Sequence, residues 1–260
     1  MVNSDPLTIA ETAIIEFERS KVPGVWTGLN KQQIIAEIRS RLLNPFNINQ
    51  GSQPFCGPAA IIFELARKHP AAYIQLCRNL FQIGGFHTHT NRWIPSPVYL
   101  QQSQVNVKIS QVDWMVLSTL RESENLIFSV DPNAPQLLRN LAGITKPWEI
   151  GGWTQEILGY QTIHYHYAYL FGDLEAIQKA NQIVKSGGVA FGLINDFGLL
   201  LNKPPVFSYP SHWVALLDQL NIDYNRNMIE FNLFTWGQQM QIKVDIKTFK
   251  TYFWAVVTGI

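Results

Sequence analysis

Apolar residues recur with a helical period through the first half of the chain, and gather into short β-branched and aromatic runs in the last third. Leu7, Ile9, Ala10, Ile14, Ile15 and Phe17 follow a spacing near 3.6, with Ser4 placed to cap the helix they predict. The glycines from Gly24 to Gly28 break it. Lys31 to Leu43 predicts a second amphipathic helix that Pro45 stops. A polar, turn-prone stretch from Asn47 to Pro54 runs into an apolar helix from Cys56 to about Lys68, and Pro70 opens another through Phe81. Gly84-Gly85, Pro95 and Pro97 mark loops. Ser110-x-x-Asp113 has the form of a capping box ahead of a helix from Trp114 to Leu120. Thr145, Pro147 and Glu149 open a further helix ending near Gly159, and Asp173 to Lys185 leads into Gly187-Gly188.

Beyond that point the pattern is that of strands. Val189–Leu193, Trp213–Leu217, Met228–Thr235, Met240–Val244 and Tyr252–Val257 are the candidate runs. Asn225-Arg226-Asn227 and Trp236-Gly237-Gln238-Gln239 predict hairpin turns between neighbouring pairs. Helices followed by an antiparallel sheet imply an α+β fold. Nothing marks a clean linker or an internal repeat. The expectation is one domain, 1–260, with N-terminal helices over about 1–45, a mainly helical lobe over 46–186 and a sheet lobe over 187–260.

Composition narrows the function. With 47% hydrophobic and 15% charged residues, the chain can bury a large core and does not resemble a disordered tail. The net charge is +1 and its basic residues are scattered, so nucleic acid is not the expected partner. Two cysteines make no disulfide framework in a chain of this length. The first residues lack the basic and apolar regions of a secretory signal, and no apolar run nears the roughly 20 residues of a membrane span. A protein made in the cytoplasm is expected, with export by a route that uses no cleaved signal left open.

The chemistry concentrates at Gln50-Gly51-Ser52-Gln53-Pro54-Phe55-Cys56-Gly57-Pro58-Ala59-Ala60. A polar loop entering an apolar helix puts Cys56 in the first turn, where backbone N–H groups and the helix dipole favour thiolate over thiol. A cysteine is more often a small buried hydrophobe, and mid-helix Cys77 fits that description. The general base must come from elsewhere in the chain. Among six histidines, His212 opens the run Trp213-Val214-Ala215-Leu216, whereas His69 precedes Pro70 at a helix end.

The Gln-Gly-Ser followed by Cys-Gly, with Gln50 six positions before Cys56, resembles the papain-like cysteine peptidases. The continuation Cys-Gly-Pro-Ala-Ala looks closer to the bacteriocin-processing branch of that clan. The resemblance implies a papain-like fold, with a helical lobe carrying Cys56 as nucleophile and an antiparallel sheet lobe carrying His212 as base. It implies that the cleft between the lobes is the active site, and that the Gln50 side chain joins the Cys56 N–H in the oxyanion hole. The third position is open. The clan's Asn-Ser-Trp-Gly corresponds to Phe234-Thr235-Trp236-Gly237, so Phe234 stands in the place of the orienting Asn. In the Asp-bearing branch Thr235 would stand there. A register shift would let Asn232 serve, and a Cys-His dyad is the remaining alternative.

A second resemblance joins the segments Asp113 to Asn125, Ala142 to Pro147, Ser211 to Val214 and Phe234 to Gly237. They are similar to blocks of papain-like modules in bacterial contact-dependent and contractile-injection effectors. That implies a protein or peptide substrate, a toxin-like protease, deamidase or transglutaminase activity on one Cys-His site or a catalytically weak binding module, and a secretion apparatus or immunity protein as partner. Arg121-Glu122-Ser123-Glu124-Asn125 reads either as a substrate-side loop or as a capped helix end with solvated charges. The thiol chemistry calls for no cofactor. His87-x-His89 and His164-x-His166 admit a metal reading, but no Glu or Cys stands at ligand spacing. Ser118 and Ser211 lack a nucleophile-elbow context, and Gly187-Gly188 lacks the spacing and lysine of a phosphate loop.

Overall fold

The computed structural model describes residues 6–103, 108–124, 145–167, 174–203, 205 and 209–260. Ser4, Asn125, Ala142-Gly143-Ile144 and Asp173 lie outside the described residues. The fold is α+β, with helices dominating the first part and an antiparallel sheet the second. It divides into two compact units, Met1–Gly143 and Ile144–Ile260, earlier than the expected lobe boundary at 186/187. The helices and strand between 145 and 186 belong with the sheet.

The first unit is built on α1 (Pro6–Arg19), α2 (Lys31–Leu43), α3 (Cys56–Lys68), α4 (Pro70–Ile83), the short α5 (Val98–Gln101) and α6 (Gln111–Glu124). Each amphipathic pattern becomes a helix because its apolar stripe is buried. Ile34, Ile35 and Ile38 of α2 and nearly all of α3 are inside. Caps set the ends: the Asn30 side chain accepts from Gln33 N, and Gly84 ends α4 in the left-handed region at φ 73°. The segment expected as loop from Gly85 to Pro95 holds a hairpin, β1 (Gly85–His87) with β2 (Trp93–Pro95). A side chain at 85 would collide with the Trp93 ring and the Ile94 carbonyl, so only glycine lets this pair close.

The second unit contains α7 (Pro147–Glu156), β3 (Ile163–Tyr167), α8 (Leu174–Lys185), β4 (Val189–Ile194), α9 (Asp196–Leu199), β5 (His212–Leu216), β6 (Asn221–Asp223), β7 (Met228–Thr235), β8 (Gln238–Asp245), α10 (Ile246–Tyr252) and β9 (Phe253–Gly259). The sheet order is β3-β9-β4-β5-β7-β6, with β8 also paired to β7 and every pairing antiparallel. Val214, Leu216, Leu233, Phe231 and Val256 form a core with Ala176, Ile177 and Ala180 of α8 and Phe249 of α10. The strand patterns at 189, 213, 228, 240 and 252 each find a strand, and β3 and β6 join them. A short helix, α10, lies between β8 and β9 and takes in Tyr252, the first residue of the last run: Asp245 accepts from Thr248 N at 2.9 Å and caps it.

Candidate active site

Cys56 is the first residue of α3 and is 6% exposed. Phe55 precedes it with no side-chain cap, so the helix start is left to backbone donors. Neither cysteine is in a disulfide. They differ in setting. Cys77 is buried in α4, and that burial pushes its thiol well above the ordinary value, the opposite of what a nucleophile needs.

A buried ion pair holds the loop ahead of Cys56. Arg41 Nε donates to Asp113 Oδ1 at 2.8 Å and its Nη2 to Oδ2 at 2.5 Å. The same Oδ2 accepts from the backbone N–H of Asn49 at 3.0 Å. Asp113 was expected to close a capping box with Ser110. Only half of that box forms: Asp113 N donates to Ser110 Oγ at 3.2 Å, while the carboxylate goes to Arg41 and Asn49. Gly51 sits at φ 60° with Lys108 O so near that a side chain there would approach it to 2.7 Å. The loop is therefore pinned to α2, α6 and the chain before α6.

Gln50 is half-buried, and its Nε2 donates to Gln53 O at 3.1 Å. One of its two amide hydrogens is thus used within the loop, and the second is not required there. Gln53 lies in the polar stretch ahead of Cys56. It is 2% exposed, and among the described residues neither atom of its carboxamide has a hydrogen-bond partner. A buried amide in that state costs about 1–3 kcal/mol. Sequence offered no signal for it beyond its place three residues before Cys56.

In the second unit His212 begins β5 and is 5% exposed. Its Nε2 and Thr235 Oγ1 are 2.5 Å apart, and the Trp236 ring lies against the imidazole with centroids 5.1 Å apart. Trp236 has φ 49° and Gly237 φ 73°, the two left-handed residues of a two-residue hairpin turn between β7 and β8. Glycine takes that conformation freely, whereas a tryptophan there is strained by about 1–3 kcal/mol. The strain sits where the indole covers His212.

Asn232 does not orient His212. Ala215 pairs with Phe234 and Leu216 with Leu233, so alternation puts His212 and Thr235 on one sheet face and Asn232 with Phe234 on the other. Asn232 Nδ2 instead donates to Gln219 Oε1 at 2.6 Å. No one-residue adjustment short of a register slip would reverse this, and a slip would turn every core side chain of β7 outward.

Burial pushes His212 down to about 4, and the carboxylate of Asp196 works against that shift. At neutral pH the ring is an uncharged imidazole in this setting. Asp196 was not among the residues singled out from sequence, since nothing along the chain marks residue 196 as a neighbour of residue 212.

The histidine pairs have other places. His87 ends β1, whereas His89 lies in the following turn. His164 and His166 share a face of β3, opposite Thr258 and Val256, and line a cavity of about 460 Å³ against α8. Among the described residues no group of three or more His, Cys, Asp or Glu could hold a metal ion, and no helix is long and apolar enough to cross a membrane. Arg121, Glu122 and Ser123 are within α6. No protein-family model matches the chain, and no curated protein matches it either.

Proposed function

We propose that the chain is a papain-like cysteine hydrolase in which Cys56 is the nucleophile and His212 the general base, acting on a peptide or glutamine amide in the manner of a bacterial effector protease. The observation that carries this reading is the buried His212–Thr235 pair with the Trp236 indole against the ring. A histidine opening a strand, held at one nitrogen by a hydroxyl and shielded by an aromatic, is oriented for proton transfer at its other nitrogen. Thr235 takes the place left open by Phe234.

The tautomer follows from the roles. For Nδ1 to accept a proton, Nε2–H donates to Thr235 Oγ1. The Cys56 thiol then gives its proton to Nδ1 as the sulfur attacks the substrate carbonyl carbon. The carbonyl oxygen becomes an oxyanion, held by the Cys56 backbone N–H and the Gln50 carboxamide, each such donor contributing about 2.7–4 kcal/mol. Collapse breaks the C–N bond. The leaving amine takes the proton from Nδ1, and a thioester remains on Cys56. Water activated by His212 releases the acid and regenerates the thiol. If an amine attacks the thioester in place of water, the product is a crosslink; if the amide is that of a glutamine side chain, hydrolysis is deamidation.

Support lies within each unit separately: a thiol at an uncapped helix start with its loop pinned by a buried ion pair, and an oriented, neutral imidazole. The resemblance to effector modules supports a protein substrate and delivery from the cytoplasm by a secretion apparatus, with an immunity protein as binding partner. Mass spectrometry of proteins from cells expressing wild type or Cys56→Ala tests the reaction class. Truncated peptides mean a protease, a mass gain of about 1 Da at glutamine a deamidase, and crosslinked peptides a transglutaminase. Identical proteomes from both would exclude all three and leave a non-catalytic binding module.

A further inference from the structure

We infer that Asp196 is a positioning residue for His212: a carboxylate fastened beside the start of β5 by Ser211, supplying the negative charge against which the ring is protonated during turnover. The inference deepens the reading of His212 as a base and rests on it for its catalytic meaning.

The geometry is local to the end of the β4/β5 pair. Ile194, the last residue of β4, is in register with His212, and Ser211 N donates to Ile194 O at 2.9 Å. Two residues beyond Ile194 the chain turns into α9 at Asp196. There the hydroxyl of Ser211 donates to Asp196 Oδ1, and Asp196 N donates to Ser211 Oγ at 3.1 Å. The turn is fixed from both sides. Asn195 caps α9 through Gly198 N at 2.9 Å, its Nδ2 donates to Tyr209 O at 2.7 Å, and its backbone N–H donates to Tyr252 O at 2.8 Å. The carboxylate therefore cannot swing away without breaking its hydrogen bond from Ser211, the residue adjoining His212, whose hydroxyl the Asp196 backbone N–H also holds in place.

The chemistry gives this placement a use. A ring as buried as His212 resists charge, yet a general base must carry a proton between the thiol and the leaving amine. Thr235 orients the ring and brings no charge. Ile194 of β4 is in register with His212, Thr235 of β7 bonds its ring and the turn residue Trp236 lies against it, all uncharged. Asp196 at the start of α9 is bonded to the adjoining Ser211. Among the described residues of this unit, Asp196 is the charged group that acts on the ring. Its half-buried position keeps its field on the ring less screened than a surface carboxylate would be.

Histidine ring signals of the full chain, followed by NMR across pH in wild type, Asp196→Asn, Asp196→Glu and Ser211→Ala, read the effect directly; His212→Gln assigns the resonance. The midpoint for His212 is expected to be lower in D196N than in wild type, restored in D196E, and intermediate in S211A, which keeps the carboxylate but releases it. An unchanged midpoint in D196N overturns the inference. Should the chain unfold in acid before the ring titrates, stability against pH gives the same information. The acid loss of stability extends to lower pH in D196N than in wild type, and the difference vanishes on a His212→Phe background; coincident curves overturn it. Neither readout involves Cys56, so failure of the Cys56–His212 chemistry would appear separately, as alkylation of Cys56 that is indifferent to His212.

Discussion

His212 Nε2 and Thr235 Oγ1 face each other at 2.5 Å across the β5/β7 pair, a buried histidine held by a hydroxyl where an amide or carboxylate would hold it more strongly. One neutral hydrogen bond contributes about 0.5–1.5 kcal/mol. Thr235→Val keeps the shape and removes the acceptor. Alkylation of Cys56 by iodoacetamide is expected to slow by up to about tenfold, the rate equivalent of that energy. Thr235→Ser restores it. Wild-type rates in the valine variant would mean that the hydroxyl orients nothing.

Asn232 provides the contrasting case. Because its side chain is on the opposite face and bonded to Gln219, Asn232→Ala is expected to lower stability by about 1 kcal/mol in urea unfolding while leaving Cys56 alkylation unchanged. A loss of alkylation rate in a folded N232A protein would return it to the site.

The buried ring also makes stability depend on pH. His212 takes up a proton near 6.5 in the unfolded chain but only near 4 in the folded one. Between those values the unfolded state binds more protons. The contribution is therefore complete above about 6.5 and is lost as pH falls toward 4, on the order of 3 kcal/mol in all. His212→Phe is expected to flatten that part of the stability curve. An unchanged slope between pH 6.5 and 4 in the variant would show that His212 is not the group responsible.

Arg41 and Asp113 are expected to behave as a unit. Removing one partner, as in Arg41→Met, leaves a buried carboxylate and costs about 3–5 kcal/mol. The double replacement Arg41→Met with Asp113→Leu recovers much of that stability, yet it removes the acceptor for Asn49 N and frees the loop before Cys56. Thermal unfolding and alkylation should therefore part company: stability near wild type, reactivity reduced. Recovery of both would mean that the ion pair only stabilises the fold.

Much of the architecture was legible because its signals are local. The stripe Ile34, Ile35, Ile38 is a helix in sequence and in structure, and Trp236-Gly237 is the turn where it was expected. What escaped depends on contacts between distant residues. The hairpin of Gly85–His87 with Trp93–Pro95 is three residues long on each side, too short for a period, and exists because Trp93 packs over a glycine. Asn232 lies two residues before Phe234 on the same strand face and could serve only through a register shift, and the register of β5 against β7 is set by pairing between segments distant along the chain. Asp113 looked like half of a local capping box, and its carboxylate went to Arg41 on another helix. Gln53 and Asp196 have no sequence signature at all, since burial and proximity to His212 arise only on folding.

The most direct measurement is the pH dependence of Cys56 alkylation in wild type and His212→Ala, with Cys77 as internal reference. Wild type is expected to label Cys56 far faster than Cys77 at mildly acidic to neutral pH, and His212→Ala to abolish that advantage while remaining folded. Equal labelling of the two cysteines in wild type, or a Cys56 rate unaffected by loss of His212, would contradict the assignment of Cys56 as a nucleophile served by His212.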